Sequence, residues 1–212
     1  LYTAGLAAVS GDVLYVQEGT YTGHLDPVAA TKSIGIYGGF TVADGTWATR
    51  DNFAHPSIID AGSNPSVPFI RPESGVAQVV NGIACTGFTG GVMLKNVGTA
   101  TVKNCAIYDC DGTASSHAVE NCLILNCSSS SSSYSSNSYI VAGDATDCTF
   151  TNCSSSSRYS AIVAGDATNC TFTNCSSSGI SGAIVYAGAT NCTFTNCSSS
   201  SSNSYIVYGG AT

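Results

Sequence analysis

The sequence has few charges, and this scarcity narrows the classes of partner that it can bind. Only 9% of its 212 residues are charged, with 6 Lys and Arg against 13 Asp and Glu, so the formal net charge is −7. A protein that neutralises nucleic-acid phosphates or anionic lipid headgroups needs clustered Lys and Arg. The basic residues here stand singly along the chain. We therefore expect no nucleic acid among its partners.

Long apolar runs are also absent. No run approaches the roughly 20 residues that a membrane-spanning helix needs. The first residues, Leu1 to Gly5, do not form the basic segment with a following apolar stretch that a signal peptide has. We expect no direct membrane insertion. Because the sequence begins without Met, we interpret it as a piece of a longer protein.

A repeat of 22 residues dominates the second half of the sequence. The segment from Asp147 to Cys153 recurs in the same register from Asn169 and again from Asn191, and two looser copies lie upstream. Within each copy, apolar and polar residues alternate with a period of two, which indicates strands. Gly and Asn mark the corners between them. Short strands and tight corners at this period are typical of one turn of a β-solenoid.

The predicted fold is therefore all-β: a parallel β-helix with an N-terminal cap. Equivalent positions of successive turns stack at about 4.8 Å, so about eight or nine turns would extend over roughly 40 Å. We predict a single domain, with a capping segment and irregular first turns over residues 1–80, irregular turns over 81–139 and regular turns over 140–212.

The alternation of apolar and polar residues assigns the side chains of each regular turn to two faces. Cys and Phe point inward, Thr points outward, and Asn lies at the following corner, where it tolerates the left-handed conformation and can hydrogen-bond along its own column. A further strand is predicted at residues 161–163, and a short strand with a surface loop in each Ser run. The inward columns are Cys148, Cys170 and Cys192, Phe150, Phe172 and Phe194, and Cys153, Cys175 and Cys197; the corner column is Asn152, Asn174 and Asn196; the outward rows are Thr149, Thr171 and Thr193, and Thr151, Thr173 and Thr195.

These residues resemble right-handed parallel β-helices of the pectate-lyase-like kind. Ser181-Gly-Ala-Ile184 followed by Phe194-Thr-Asn-Cys197 is similar to the polymorphic outer-membrane protein repeat, whose signatures are Gly-Gly-Ala-Ile/Leu/Val and Phe-x-x-Asn. The N-terminal third resembles the opening of surface β-helix proteins, with a capping helix that ends near Ala7. The resemblance implies an extracellular or cell-surface location. It also implies further strands at residues 33–40 and 57–60.

Eleven cysteines occur, and ten of them form five Cys-x4-Cys pairs. We interpret these pairs as two columns of buried thiols that pack as small apolar side chains. Disulfides between turns are an alternative, although the strand spacing of about 4.8 Å exceeds the Cβ separation that a disulfide needs. A metal site is a further alternative, for which Cys-x2-Cys spacing would be usual. We expect no metal and no cofactor.

Acidic residues supply the candidates for chemistry. Asp144 and Asp166 are one repeat apart and could form a weak calcium site or simply be solvated corner residues. Hydrolysis of a glycosidic bond would need two carboxyl groups at a defined separation, which the sequence does not indicate. We expect no catalytic residues and no cleft that gathers three ionisable side chains. The densest polar cluster, which we interpret as loop decoration, consists of Asp109, Asp111, His117 and Glu120.

Together these observations favour a non-catalytic extracellular β-helix, acting as a stalk, passenger or adhesin-like display domain. Its partners would be glycans or proteins of a host cell or matrix, and the uncapped C-terminal turn could add an end-to-end contact. Ice binding is the first alternative, because the outward Thr-x-Thr rows resemble those of β-solenoid ice-binding proteins. A polysaccharide-binding or polysaccharide-cleaving β-helix is the second.

Overall fold

In the part of the chain that the structure describes, the secondary structure consists of short strands. A computed structural model describes residues 7–23, 31–41, 50–63, 66, 69–70, 77–89, 99–115, 117–130, 137–200 and 202–212, with the backbone alone for residues 99–101. Within these ranges the chain forms 24 strands and no helical element. The predicted all-β class is therefore confirmed. The expected capping helix before residue 9 lies mostly outside the described residues.

Four parallel sheets, here called sheets 1 to 4, run along one axis. Each strand pairs in parallel with the equivalent strand of the next turn. Sheet 1 consists of β1 (Val13–Gln17), β3 (Ile34–Phe40), β5 (Ala77–Asn81), β7 (Thr99–Lys103), β9 (Val119–Glu120), β13 (Ala145–Thr146), β17 (Ala167–Thr168) and β21 (Ala189–Thr190). Sheet 2 consists of β2 (Gly19–Thr22), β4 (Ser57–Asp60), β6 (Ile83–Thr86), β8 (Ala106–Tyr108), β10 (Leu123–Leu125), β14 (Thr149–Thr151), β18 (Thr171–Thr173) and β22 (Thr193–Thr195).

Sheets 3 and 4 are shorter. Both lie in the second half of the chain, where the repeat is regular. Sheet 3 consists of β11 (Ser128–Ser130), β15 (Ser154–Ser156), β19 (Ser176–Ser178) and β23 (Ser198–Ser200). Sheet 4 consists of β12 (Asn137–Val141), β16 (Tyr159–Val163), β20 (Ser181–Val185) and β24 (Tyr205–Val207).

The number of turns is about seven, so the prediction of eight or nine was slightly too high. Sheets 1 and 2 each contain eight strands in the described residues. A turn is the interval between two paired strands, and eight strands enclose seven intervals. A count of strand-like segments in the sequence includes the strands at both ends and therefore exceeds the number of turns.

A regular turn has four sides, whereas the sequence predicted two or three strands in each turn. The chain passes through β17, β18, β19 and β20 in order before it reaches β21 and begins the next turn. The additional side comes from two residues, Ala167 and Thr168, which pair with the same positions of the next turn. The Ser runs do form the predicted short strand, which is sheet 3.

The core contains a column of phenylalanine rings. The ring centroids of Phe150 and Phe172 are 4.8 Å apart, those of Phe172 and Phe194 are 5.0 Å apart, and both pairs are inclined by only 6°. The rings of successive regular turns therefore stack in parallel along the axis of the solenoid. Ile162 and Val163 of sheet 4 are also fully buried and belong to the same core.

A polar seam joins sheets 3 and 4 inside the solenoid. The middle serine of each sheet 3 strand points inward, and Ser155 and Ser177 are almost completely buried. Ser155 Oγ donates to the carbonyl oxygen of Ser138 at 2.7 Å, and Ser177 Oγ donates to that of Ser160 at 2.9 Å. Because buried hydroxyls need hydrogen-bond partners, the seam fixes which serine of each run faces the core.

Candidate functional site

Both corners that flank sheet 2 in a regular turn use the same backbone conformation. Asn152, Asn174 and Asn196 have φ values of 54°, 53° and 51°, in the left-handed region. Asn169 and Asn191, at the other corner, have values of 54° and 53°. Asn adopts this conformation more readily than most residues, because its short polar side chain forms local hydrogen bonds. The sequence predicts this role for one corner, and in the structure both corners have the left-handed conformation.

The asparagine side chains form ladders that run lengthwise along the solenoid. Asn174 Nδ2 donates to Asn152 Oδ1 at 3.1 Å, and Asn196 Nδ2 donates to Asn174 Oδ1 at 3.3 Å. At the other corner Asn191 Nδ2 donates to Asn169 Oδ1 at 3.4 Å. The exposed amides are therefore already engaged by the neighbouring turns. Their role in this arrangement is to hold one turn against the next.

Ten of the eleven cysteines lie directly after such corners, in two columns, whereas Cys85 lies within β6. All eleven are free thiols, and nine of them are buried. Cys170 Sγ donates to the carbonyl oxygens of Thr168 at 3.3 Å and Ala145 at 3.4 Å. In the other column, Cys175 Sγ lies 3.6 Å from the carbonyl oxygen of Phe150. A thiol suits this position because it packs as a small apolar group and still offers a weak donor.

Burial and hydrogen bonding disfavour ionisation of most of these thiols. Burial raises the pKa of Cys85 well above its usual value. Hydrogen bonding with Cys122, together with burial, raises the pKa of Cys148 to about 12. Cys175 differs, because its hydrogen bond with Cys153 lowers its pKa. Since the thiolate is the reactive form of cysteine, the thiols with a raised pKa are suited to packing and not to chemistry.

The two aspartates considered as a calcium site do lie one above the other. The backbone N–H of Asp166 donates to Asp144 Oδ1 at 2.9 Å, and the N–H of Gly188 donates to Asp166 Oδ1 at 2.7 Å. Each carboxylate thus accepts a hydrogen bond from the backbone of the following turn. This geometry agrees with corner residues that join successive turns.

The members of the densest polar cluster have separate partners. Asp109 lies at a left-handed corner, Asp111 accepts a hydrogen bond from Ser128 Oγ at 2.9 Å, and Glu120 forms an ion pair with Lys103. Among the residues that the structure describes, no three His, Cys, Asp or Glu side chains are grouped as metal ligands.

The outward threonines form two straight rows on sheet 2. Strands β14, β18 and β22 pair in register, so each threonine lies directly beside its equivalents in the neighbouring turns. Their side chains are exposed or half-buried. Within the described part of the chain, none of the six hydroxyls has a hydrogen-bond partner. The two rows are Thr149, Thr171 and Thr193, and Thr151, Thr173 and Thr195.

Sheet 1 carries a third row of threonines, which the sequence analysis missed. Thr146, Thr168 and Thr190 are paired in register, each next to an alanine. Thr190 Oγ1 lies 3.1 Å from Thr212 Oγ1, so these two hydroxyls are hydrogen-bonded to each other. In the sequence, this row is marked by the Ala-Thr pair that directly precedes Asp147, Asn169 and Asn191.

Comparison with known proteins shows no family for this chain. No family model matches the chain, and no curated protein does. The chain is similar to the crystal structure of an alginate lyase from Paenibacillus sp. str. FPU-7, with 14% identity and a TM-score of 0.30, over 100% of this chain and 96% of that one. So weak a likeness carries no argument about function. In the described residues, no helix has the length and apolar character needed to cross a membrane.

Proposed function

We propose that the chain is a non-catalytic, extracellular β-solenoid that displays its long sides for adhesion, as a stalk or passenger segment of a surface protein. The observation that carries this proposal is the repetition of the same uncharged hydroxyl side chains, in register, from turn to turn on sheets 2 and 3. Such a surface offers one weak contact several times, and linked weak contacts add up to firm attachment. Catalysis needs different groups that converge on one place.

The ionisable residues of the regular turns support a structural role. Asp144 and Asp166 are engaged by backbone N–H groups. The buried thiols are compatible with the proposed extracellular setting. Because oxidation of cysteine depends on exposure and thiolate character, thiols that are both buried and protonated can persist outside the cell.

The charge of the chain favours a neutral partner. A net charge of −7 repels polyanions at long range, which disfavours acidic polysaccharides as ligands. Rows of Ser and Thr hydroxyls can donate and accept hydrogen bonds and match the hydroxyls of neutral glycans. Neutral glycans of a host cell or matrix are therefore the partner class that we favour.

Bead adhesion tests the proposal. Beads coated with the full chain and beads coated with albumin are washed over surfaces that carry mucin, collagen or dextran. We expect more chain-coated than albumin-coated beads to remain on at least one surface. Equal retention on all three would contradict the display role.

An assay for depolymerisation tests the absence of catalysis. The full chain is incubated with alginate and with polygalacturonate, and new chain ends are measured over time. We expect no release above that of buffer. Release that disappears after heat treatment of the protein would contradict the proposal and support the polysaccharide-cleaving alternative.

A further inference from the structure

The outward face of β14, β18 and β22, here called the Thr face, repeats from turn to turn. The three strands pair in parallel and in register, so each threonine lies beside its equivalent in the next turn. On the inward side of the same strands, the phenylalanine rings stack at 4.8 and 5.0 Å. The six threonines therefore form an array of two rows over three turns.

The dimensions of this array are close to those of ordered water. Along the axis the spacing is 4.8 and 5.0 Å, as the ring centroids on the same strands show, and along a strand alternate residues are about 6.6–6.8 Å apart. Tetrahedral water with an O···O distance of about 2.75 Å has second neighbours at about 4.5 Å and a hexagonal-axis repeat of about 7.3 Å. The two lattices thus differ by about a tenth in each direction.

The hydroxyls of the Thr face are free to bind water. None of the six has a hydrogen-bond partner in the described residues. By contrast, the side chains of the asparagine ladders and of the polar seam between sheets 3 and 4 are hydrogen-bonded within the protein. The β-branched threonine side chain also has a restricted χ1 torsion. The hydroxyls and methyls of the face are therefore held in place without being used by the protein itself.

We infer that the Thr face is an ice-binding site, which adsorbs ordered water through its threonine methyls and hydroxyls. This function is independent of adhesion. The Thr face extends over three turns, because the preceding turn carries Leu123 and Leu125 in the same two rows. This small size limits the effect on ice growth. Three turns should produce a measurable but small effect, and more turns should increase it.

Thermal hysteresis tests the inference directly. It is the gap between the temperature at which ice melts and the lower temperature at which ice crystals grow. The full chain is compared with albumin at equal concentration, and the variant Thr171→Tyr places a bulky ring in the middle of the face. The control Ser178→Tyr changes an exposed residue of the same turn on sheet 3. We expect a gap for the parent and the control, and loss of the gap to the albumin level for Thr171→Tyr.

A second variant extends the face instead of blocking it. Leu123→Thr combined with Leu125→Thr adds a fourth turn to the two rows, and both leucines are half-buried outer residues. We expect a larger hysteresis gap than in the parent, with an unchanged circular dichroism spectrum. No gap in the parent, an undiminished gap in folded Thr171→Tyr, or no gain in the folded double variant would each overturn the inference.

Discussion

Ten residues other than glycine have positive φ in the described part of the chain, and each of them directly precedes a cysteine. The pairing has a physical cause, because the left-handed residue turns the chain and the next side chain then points into the corner. In an earlier turn, Gly82 and Gly87 have φ values of 72° and 74° at the equivalent positions. The residues that follow them are Ile83 and Phe88, so the corner accepts other buried side chains.

The two glycine corners should respond differently to asparagine. A Cβ at Gly87 would lie 3.5 Å from Asp60 Oδ1, which is ordinary contact, whereas a Cβ at Gly82 would lie 2.3 Å from Asn52 Oδ1. We expect Gly87→Asn to change the free energy of unfolding by less than about 1 kcal/mol and Gly82→Asn to lower it by about 1–3 kcal/mol. Urea unfolding of both variants checks this. Equal losses would contradict the close contact with Asn52 as the cause of the difference.

Alkaline pH should destabilise the protein, because a buried thiol stays protonated in the folded state at a pH where it ionises in the unfolded state. The pKa of Cys148 is raised to about 12 in the folded state, and an unfolded cysteine has a pKa of about 8.5. The contribution of such a thiol is complete below about pH 8.5 and is lost as the pH rises toward the folded pKa. We expect the free energy of unfolding in reducing buffer to fall above about pH 9. In Cys148→Ala the free energy of unfolding should fall less steeply with pH. An unchanged slope would contradict the raised pKa of Cys148 as a cause.

Many strands of this solenoid are only two or three residues long, so each of these strands depends on one or two inward side chains. A three-residue strand such as β18 buries only Phe172, which is stacked between Phe150 and Phe194. Truncation of a fully buried phenylalanine usually costs about 3–5 kcal/mol. We expect Phe172→Ala to lower the free energy of unfolding by that amount and Phe194→Ala, which is only half-buried, by less. Urea unfolding of the two variants tests the ranking.

The strands of sheet 2 could be predicted because Phe, flanked by Thr, marks the inward position unambiguously. Sheet 3 shows the opposite case. In the run Ser176–Ser178 all residues are identical, so no alternation reveals that Ser177 is buried. Its burial depends on Ser160, a partner on sheet 4 that lies 17 residues earlier. The outward direction of the six threonines could likewise be predicted, and the pairing of the strands places them in register.

In the described part of the chain, hydrogen bonds and packing outnumber the charge pairs. Lys103 forms an ion pair with Glu120, His55 Nδ1 lies 2.7 Å from Glu18 Oε2, and both pairs are partly exposed. Exposed pairs contribute at most about 1 kcal/mol each and are screened by salt. We expect the free energy of unfolding to change by less than about 1 kcal/mol between low salt and 1 M NaCl. Urea titrations at the two salt concentrations check this, and a change of several kcal/mol would contradict it.

The near identity of three consecutive turns has a consequence for how the chain finds its register. Phe150 can stack on Phe194 as well as on Phe172. A folding chain that skips one turn therefore still places identical side chains next to each other in most columns. The corner before sheet 1 distinguishes the last of these turns from the other two, because Gly188 stands where the earlier turns have Asp144 and Asp166. We therefore expect the few residues that differ between turns to keep the strands in the correct register during folding. Their contribution to the stability of the folded protein should be smaller.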